Sequence, residues 1–465
     1  MPAWRELVAL SLVTAAVAVE LPTNGWNATA HYALVESLAD GTPVIDRNLN
    51  QSGDIAWVDG RFYAAKSPGL AFLSLPSYLL FRDAGALPPK TAREGGPPGA
   101  RFVERKALWQ VNLAVVAALL ALMLLVRLAV ERVVLGFGTL TAVVLVVGTM
   151  LLPFAASYFS HVVSATLGFA AFVVLVHARR RRSPLLAAAA GMIAGLAVFT
   201  ELPLAIVAVI LGVYAALERP RVRAAALYCS GLLVGLAPLA LYNAWAVGTP
   251  FSTVYSDAVE RLGASGHDVV GANDEGFFGL SAPDPLVVPK LLFSERGLIT
   301  LTPIVAAALL ALPALARRGY RREAILIGSL VIVFLMYNAA YYLPFGGSTP
   351  GPRFLIPLLP FLALPLAVAL QERPRTTLSL AAVSAFWMVL ATLTRPLLPA
   401  GETPLLWLRI LRSKQLPSSI LGGEWLALLP FALPILASVV LAFAASPYFV
   451  ARRGVPPERL PAANP

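Results

Sequence analysis

Long apolar runs recur along this chain from end to end, and they limit its fold more than any other feature. A run of roughly 18 or more apolar residues with few charges is long enough to cross the hydrocarbon core of a bilayer as a helix. Twelve can be read, at roughly 5–21, 107–126, 133–152, 158–177, 184–200, 202–217, 224–245, 298–316, 323–343, 353–371, 377–394 and 425–447. Proline and glycine fall inside several of them, which is tolerated where neighbouring helices satisfy the freed backbone groups. Of the 465 residues, 58% are hydrophobic and only 13% charged, beyond what a soluble chain of this size carries. The expected fold class is an all-α polytopic membrane protein, with residues 1–465 as a single transmembrane domain. The first run follows a basic residue and resembles a signal peptide, but no clear small-residue cleavage site follows it, so a retained helix is expected. The one cysteine, Cys229, lies inside a run, so no intrachain disulfide can form.

The connections alternate in character. One set is short and arginine-rich: "RLAVER", "RRRR" at 179–182, "ERPRVR", "RRGYRR", "ERPR" at 372–375 and "ARRG" at 451–454. The positive-inside rule puts these in the cytoplasm, and alternation of twelve spans puts them all on one side. The net charge of +11 is then a matter of topology, and nucleic acid is not an expected partner. Arginine outnumbers lysine 31 to 5, as GC-rich bacterial genomes produce, so a bacterial plasma membrane is the expected location.

The other set of connections faces outward and includes three longer loops, about 22–106, 246–297 and 395–424. All nine aspartates fall there: Asp40, Asp46, Asp54, Asp59, Asp83, Asp257, Asp268, Asp274 and Asp284. So do all five lysines, Lys66, Lys90, Lys106, Lys290 and Lys414. The concentration points to chemistry on the outer face; the plainer alternative is that the outer loops are simply longer. In the first loop, "NATAHYALVESLADG" has the spacing of a short amphipathic helix ended by Gly41, and "SPGLAFLSLPSYLLF" reads as an interfacial helix too short to cross. "REGGPPGARFVERK" reads as a flexible connector. There is no nucleotide-binding fingerprint and no internal repeat. The sequons at Asn27 and Asn50 matter only if the chain is eukaryotic.

Four constellations can carry chemistry. "IDRNLNQSGDIAWVDGRFYAAKSPGL" gathers Asp46, Asp54, Asp59, Arg61, Tyr63 and Lys66. Its carboxylates can act as a general base or hold a divalent cation. Lys66 stands at the head of the interfacial helix, where a compact cation and the free amides of a first helical turn favour an anion at headgroup depth; Pro68 is tolerated there. A snorkelling lysine beside ordinary turn residues is the plainer alternative. His161 and Glu201 lie at the outer ends of spans, where ionisable residues are functional candidates, although a packing histidine and a helix-end carboxylate explain them too. "LLFSERGLITLTP" carries Glu295, Arg296 and Gly297 into a span. "YYLPFGGSTPGPRFLIPLLPF" breaks the chain at Gly346, Gly347 and Gly351 before Arg353, which can clamp a phosphate bidentately or anchor the interface.

This layout, with the segments "ALVESLADGTPVID", "SGDIAWVDGRFYAAKSPGL", "FSHVVSA", "GLAVFTELP", "FSERGL" and "GGSTPGPRFLIPLLPF", resembles the polytopic glycosyltransferases of GT-C fold. Within them it resembles the bacterial relatives of family 39, the protein-mannosyltransferase and aminoarabinose-transferase group. The resemblance implies a polyprenyl-phosphate sugar donor within membrane lipid, an extracytoplasmic glycan, lipid or protein acceptor, and inverting transfer without a nucleotide. It implies that Lys66-Ser67-Pro68 stands where the group has a Lys-Pro-Pro or His-Pro-Pro motif at the donor phosphate. Tyr63, Arg296 and Arg353 are then donor-site candidates, with His161 and Glu201 lining the cavity. One departure stands out. The group carries an aspartate just after the first span as the presumed base, whereas this chain has "TNGWNATAHY" with Asn24 and Asn27. Asp46 or Asp54 must then supply the catalytic carboxylate, and Asp54 is preferred because its loop also holds the lysine. A transporter or flippase for a lipid-linked or anionic substrate is the competing reading, and a non-catalytic scaffold a third.

Overall fold

A computed structural model describes residues 4–87, 103–217, 221–254, 279–399, 401–413, 416, 419–421 and 428–450. Lys90, Asp257, Asp268, Asp274, Lys414, most of the "REGGPPGARFVERK" connector and the "ARRG" arginines lie outside these residues. The chain opens with α1 (Trp4–Ala18), α2 (Trp26–Ala39), the strands β1 (Ile55–Val58) and β2 (Arg61–Ala64), and α3 (Gly69–Asp83). The bundle continues with α4 (Arg105–Glu131), α5 (Gly138–Val147), α6 (Leu151–Ala155), α7 (Ser160–Arg181), α8 (Pro184–Thr200), α9 (Ala205–Ala216) and α10 (Arg221–Val247). Further helices follow, including Val287–Phe293, Arg321–Ala340, Pro374–Thr394 and Leu428–Ala444.

Each of the twelve apolar runs coincides with helix. Six described helices are long and apolar enough to cross a bilayer, and a bent pair, Val287–Leu301 with Ile304–Leu310, makes up to seven. Gly138–Val147, Pro184–Thr200, Leu204–Ala216 and Leu428–Ala444 are apolar but only 10–17 residues long. The chain is therefore an all-α, multi-pass membrane protein; twelve crossings go beyond what helix length supports. Two runs depart from simple spans. The run at 298–316 is broken by a bend of 101° between its helices, where Thr302 leaves helical dihedrals and Pro303 has no N–H to donate. The run at 353–371 begins as a 3₁₀ helix over Arg353–Leu362, which contains Pro357 and Pro360, and becomes α-helical only at Ala363–Glu372. Every residue from Phe354 to Leu370 is buried, so this segment forms the axis of the bundle.

The arginine-rich connections meet one another. Arg318 pairs with Glu372 at 2.9 Å, Arg179 with Glu323 at 3.3 Å, Arg180 lies over the Tyr320 ring, and the Tyr320 hydroxyl donates to the Arg132 carbonyl. Four of the six arginine-rich connections thus share one end of the bundle, as alternation requires.

Backbone packs directly on backbone between α8 and α10. A Cβ on Gly191 or Gly231 would overlap the carbonyls of Tyr228 and Ala188, and one on Gly195 would stand 2.6 Å from the Gly235 carbonyl carbon. The pattern is small-xxx-small on both helices, Gly191 with Gly195 and Gly231 with Gly235, the usual means of bringing membrane helices close where no hydrophobic force acts between them.

Residues 26–83 hold more structure than their sequence suggests. α2 ends where expected, with Gly41 at φ +76, but Asn27 to Leu38 are all buried, so it is a core helix and not an amphipathic one. α3 does keep an apolar face uncovered, with Phe72, Leu73 and Leu80 exposed, as an interfacial helix would. Between them β1 and β2 pair antiparallel through an Asp59-Gly60 turn in which both residues have positive φ, the left-handed geometry that two-residue hairpins favour.

Candidate functional site

The β-ribbon builds the first half of the site. Its register sets Ile55 opposite Ala64, and the Ala65 amide donates to the Asp54 carbonyl at 3.0 Å. This places Asp54 and Lys66 side by side although twelve residues apart, and Lys66 Nζ meets Asp54 Oδ2 at 2.9 Å. Both side chains are nearly buried, 12% and 14% exposed. Burial pulls the ammonium below its ordinary range and Asp54 opposes that pull. A buried ion pair is weak evidence for stability, because desolvation offsets most of its attraction; in a cleft it points to function.

The second half comes from the N-terminal end of α7 and the C-terminal end of α8. His161 Nδ1 lies 2.5 Å from Glu201 Oε1, and the Ser164 hydroxyl donates to Glu201 Oε2 at 2.6 Å. Phe154, Phe159 and Phe354 surround the imidazole. The halves meet through Gly69. A Cβ there would stand 2.6 Å from Thr200 Cα, so only glycine lets the start of α3 press against the end of α8. That contact carries Lys66 to Glu201, whose charge it feels along with that of Arg353.

Arg353 enters from the axial segment. Its guanidinium lies over Phe159 and Phe354 at 5.9 and 5.0 Å. Gly346, at φ +78, passes so close that a Cβ would stand 2.5 Å from Arg353 Nε. A small cleft opens beside Lys66, lined by Ser67, Pro68, Leu202, Tyr242, Asn243 and Thr253.

One member has no signal in the sequence motifs. His31, on α2, is 1% exposed, and neither of its ring nitrogens has a hydrogen-bond partner among the described residues. Its ring meets Tyr158 edge-on at 6.3 Å. Tyr158 holds a left-handed φ of +52, a conformation that costs a non-glycine residue about 1–2 kcal/mol. Burial pushes His31 from 6.5 down to about 3; Lys66 and His161 also lower it, and Asp54 opposes them. Between those values the unfolded chain binds a proton that the folded chain refuses. Stability contributed by neutral His31 is therefore lost as pH falls below 6.5, by about 1.4 kcal/mol per pH unit. His31→Gln removes that slope. Thermal melts at pH 7 and pH 5 should show the variant gaining on wild type at the lower pH; parallel behaviour would contradict a buried neutral imidazole.

Asp54, Lys66, His161, Glu201 and Arg353 are thus brought together, with His31 added. Three other expected residues take different places. Asp46 is exposed and accepts the Phe62 amide at 2.7 Å, fastening the edge of the ribbon. Arg296 donates to the carbonyls of Gly347 and Thr349 and lies over Phe345, which pins the loop before Arg353. Tyr63 is buried on β2, opposite Ala56 in the ribbon. Asn24 donates to the Val103 carbonyl at 2.8 Å. For a divalent cation, no group of three or more His, Cys, Asp or Glu residues with metal-binding geometry occurs among the described residues.

The sequence matches no family model and no curated protein. Solved structures do match in fold. ArnT from Cupriavidus metallidurans bound to undecaprenyl phosphate superposes with a TM-score of 0.53 at 15% identity, over 96% of this chain and 76% of that one. Its apo state gives 0.49 at 15% identity, over 95% and 76%. The oligosaccharyltransferase AglB from Archaeoglobus fulgidus, in complex with an inhibitory peptide and a dolichol-phosphate, gives 0.43 at 14% identity, over 98% and 58%. The first match establishes a shared fold, the GT-C fold that the motifs suggested.

Proposed function

We propose that a chain of this fold, with this cluster at the end of the bundle away from its arginines, is a membrane glycosyltransferase. It moves a sugar from a polyprenyl-phosphate donor to an acceptor hydroxyl on the extracytoplasmic side. The observation that carries the reading is the Lys66–Asp54 pair held beside Arg353 at the start of α3. Two cations and the unpaired amides of a first helical turn suit a phosphate leaving group. The neighbouring structure's bound undecaprenyl phosphate supports the same donor class here. The acceptor oxygen attacks C1, the bond from C1 to the phosphate oxygen breaks, and its electron pair leaves on the phosphate. Lys66 and Arg353 stabilise the charge that develops there. Asp54 holds Lys66 in place and is one candidate for the acceptor proton. His161, locked by Glu201, walls the site toward the bundle axis. No step is assigned to a cation.

The 101° break in the run at 298–316 favours the second reading, transport, because discontinuous helices form transporter sites. Native mass spectrometry after mild-detergent purification tests both. Wild type should retain a polyprenyl phosphate or its glycoside, and Lys66→Met should lose it. A folded preparation that takes up added phospholipid but never undecaprenyl phosphate would overturn the donor assignment.

A further inference from the structure

Asp54 is engaged by Lys66, which leaves the acceptor proton without an obvious destination in a chain that has Asn24 and Asn27 after its first span. The only imidazole of the cluster with both ring nitrogens unpaired among the described residues and no carboxylate beside it is His31. It projects from the buried helix α2 within electrostatic reach of Lys66 before α3, Asp54 before the ribbon and His161 on α7. The Tyr158 ring, carried on a left-handed residue, abuts its side. A buried donor or acceptor without a partner is a liability in a folded protein and calls for an explanation. A ligand that supplies the partner is one.

We propose that His31 is the general base of the transfer, accepting the proton of the acceptor hydroxyl as that oxygen bonds to C1 of the donor sugar. The inference rests on the glycosyltransferase reading and adds a catalytic residue to it.

The chemistry suits the residue. As the acceptor C1–O bond forms, the O–H bond breaks and its proton passes to an imidazole nitrogen, giving imidazolium. The C1–O(phosphate) bond breaks with its electron pair on the phosphate. Charge and atoms balance, and the proton then leaves to solvent or to the departing phosphate. An oxygen bonded to an electron-poor anomeric carbon is far more acidic than a free alcohol, so a weak base suffices. In the empty site, burial and Lys66 keep His31 neutral, the state a base must start from. The arriving phosphate offsets the charge of Lys66 and makes the imidazolium easier to form.

The test uses the full-length protein in nanodiscs, with undecaprenyl-phosphate hexoses and pentoses as probes and envelope lipid or glycan extracts as acceptors. Native mass spectrometry reads probe binding, and sugar release is followed from pH 5 to pH 9. His31→Gln should bind the probe within about twofold of wild type, while kcat falls about 10²- to 10⁴-fold, the usual range for a general base. Because His31 is neutral throughout that range, the fall in kcat should be equal at pH 5 and pH 9. His31→Ala should regain turnover with added imidazole, which a packing role would not allow. Turnover of His31→Gln within threefold of wild type overturns the assignment. So does a folded His31→Ala whose turnover added imidazole does not raise. Wild type that binds the probe but never releases sugar with any acceptor removes the transferase reading, and this inference with it. If His31→Gln fails to fold, the imidazole titration of His31→Ala decides alone.

Discussion

Gly235→Leu should strip α10 from α8 and sharply lower the thermal midpoint. The position has no space for a side chain, because a Cβ there already overlaps the Met192 carbonyl, and the obstacle is backbone. Overpacking a well-filled core costs about 1–3 kcal/mol when side chains can adjust; here they cannot, so the loss should reach or exceed the top of that range. α10 is a peripheral helix, only 17% buried over its apolar window, and the glycine seam is its main attachment. The loss should extend to the site, since α10 carries Tyr242 and Asn243 to the cleft. Gly328→Ala is the control. A Cβ there meets nothing within 4 Å, so helix propensity alone predicts a gain of up to about 1 kcal/mol. Thermal unfolding of both variants in detergent decides. Equal midpoints would mean that α8 and α10 separate without consequence.

The second large effect is expected at Gly69→Val, and it falls on activity. The Cβ of any residue at this position stands against Thr200 Cα and the Phe199 carbonyl, so the start of α3 must retreat from the end of α8. Lys66 moves with it, away from Glu201 and Arg353. A displacement of about 1 Å at a reacting centre can reduce the rate about 10²-fold, and donor affinity should fall with it. Binding of undecaprenyl phosphate by native mass spectrometry, beside the thermal midpoint, separates misplacement from unfolding. Unchanged affinity in a variant that melts like wild type would show that the close approach does not position Lys66.

Much of this fold is legible in the sequence because lipid imposes a simple rule on apolar length and arginine placement. The runs and their alternation follow from it, and contacts among Arg132, Arg180, Arg318 and Tyr320 reproduce the alternation. The internal breaks are harder to see, because Pro303, Pro357 and Pro360 can kink, break or tighten a membrane helix, and the choice depends on neighbours. Within the site, Lys66, Asp54, His161, Glu201 and Arg353 stand out as charges near apolar ends. Arg296 stands out for the same reason, yet one of its terminal nitrogens is spent on backbone carbonyls, a fate no spacing reveals. The ribbon has a signal, the Asp59-Gly60 pair between short apolar segments, masked by the charged residues around it. His31 has none. α2 is buried on all sides, so hydrophobic periodicity cannot say which of its faces meets the site.

The ribbon also makes the site sensitive to chain length in a particular way. Asp54 and Lys66 meet just beyond the open end of the ribbon, where Ala65 opposes Asp54 and the Lys66 amide turns back to the Ala64 carbonyl. One residue inserted into a single strand between Ile55 and Ala64 would change which residue opposes Asp54 unless a bulge absorbs it, whereas one added to each strand would only lengthen the arm. What relatives of this chain should preserve between the acid and the lysine is therefore the equal length of the two strands, even where every residue within them has changed.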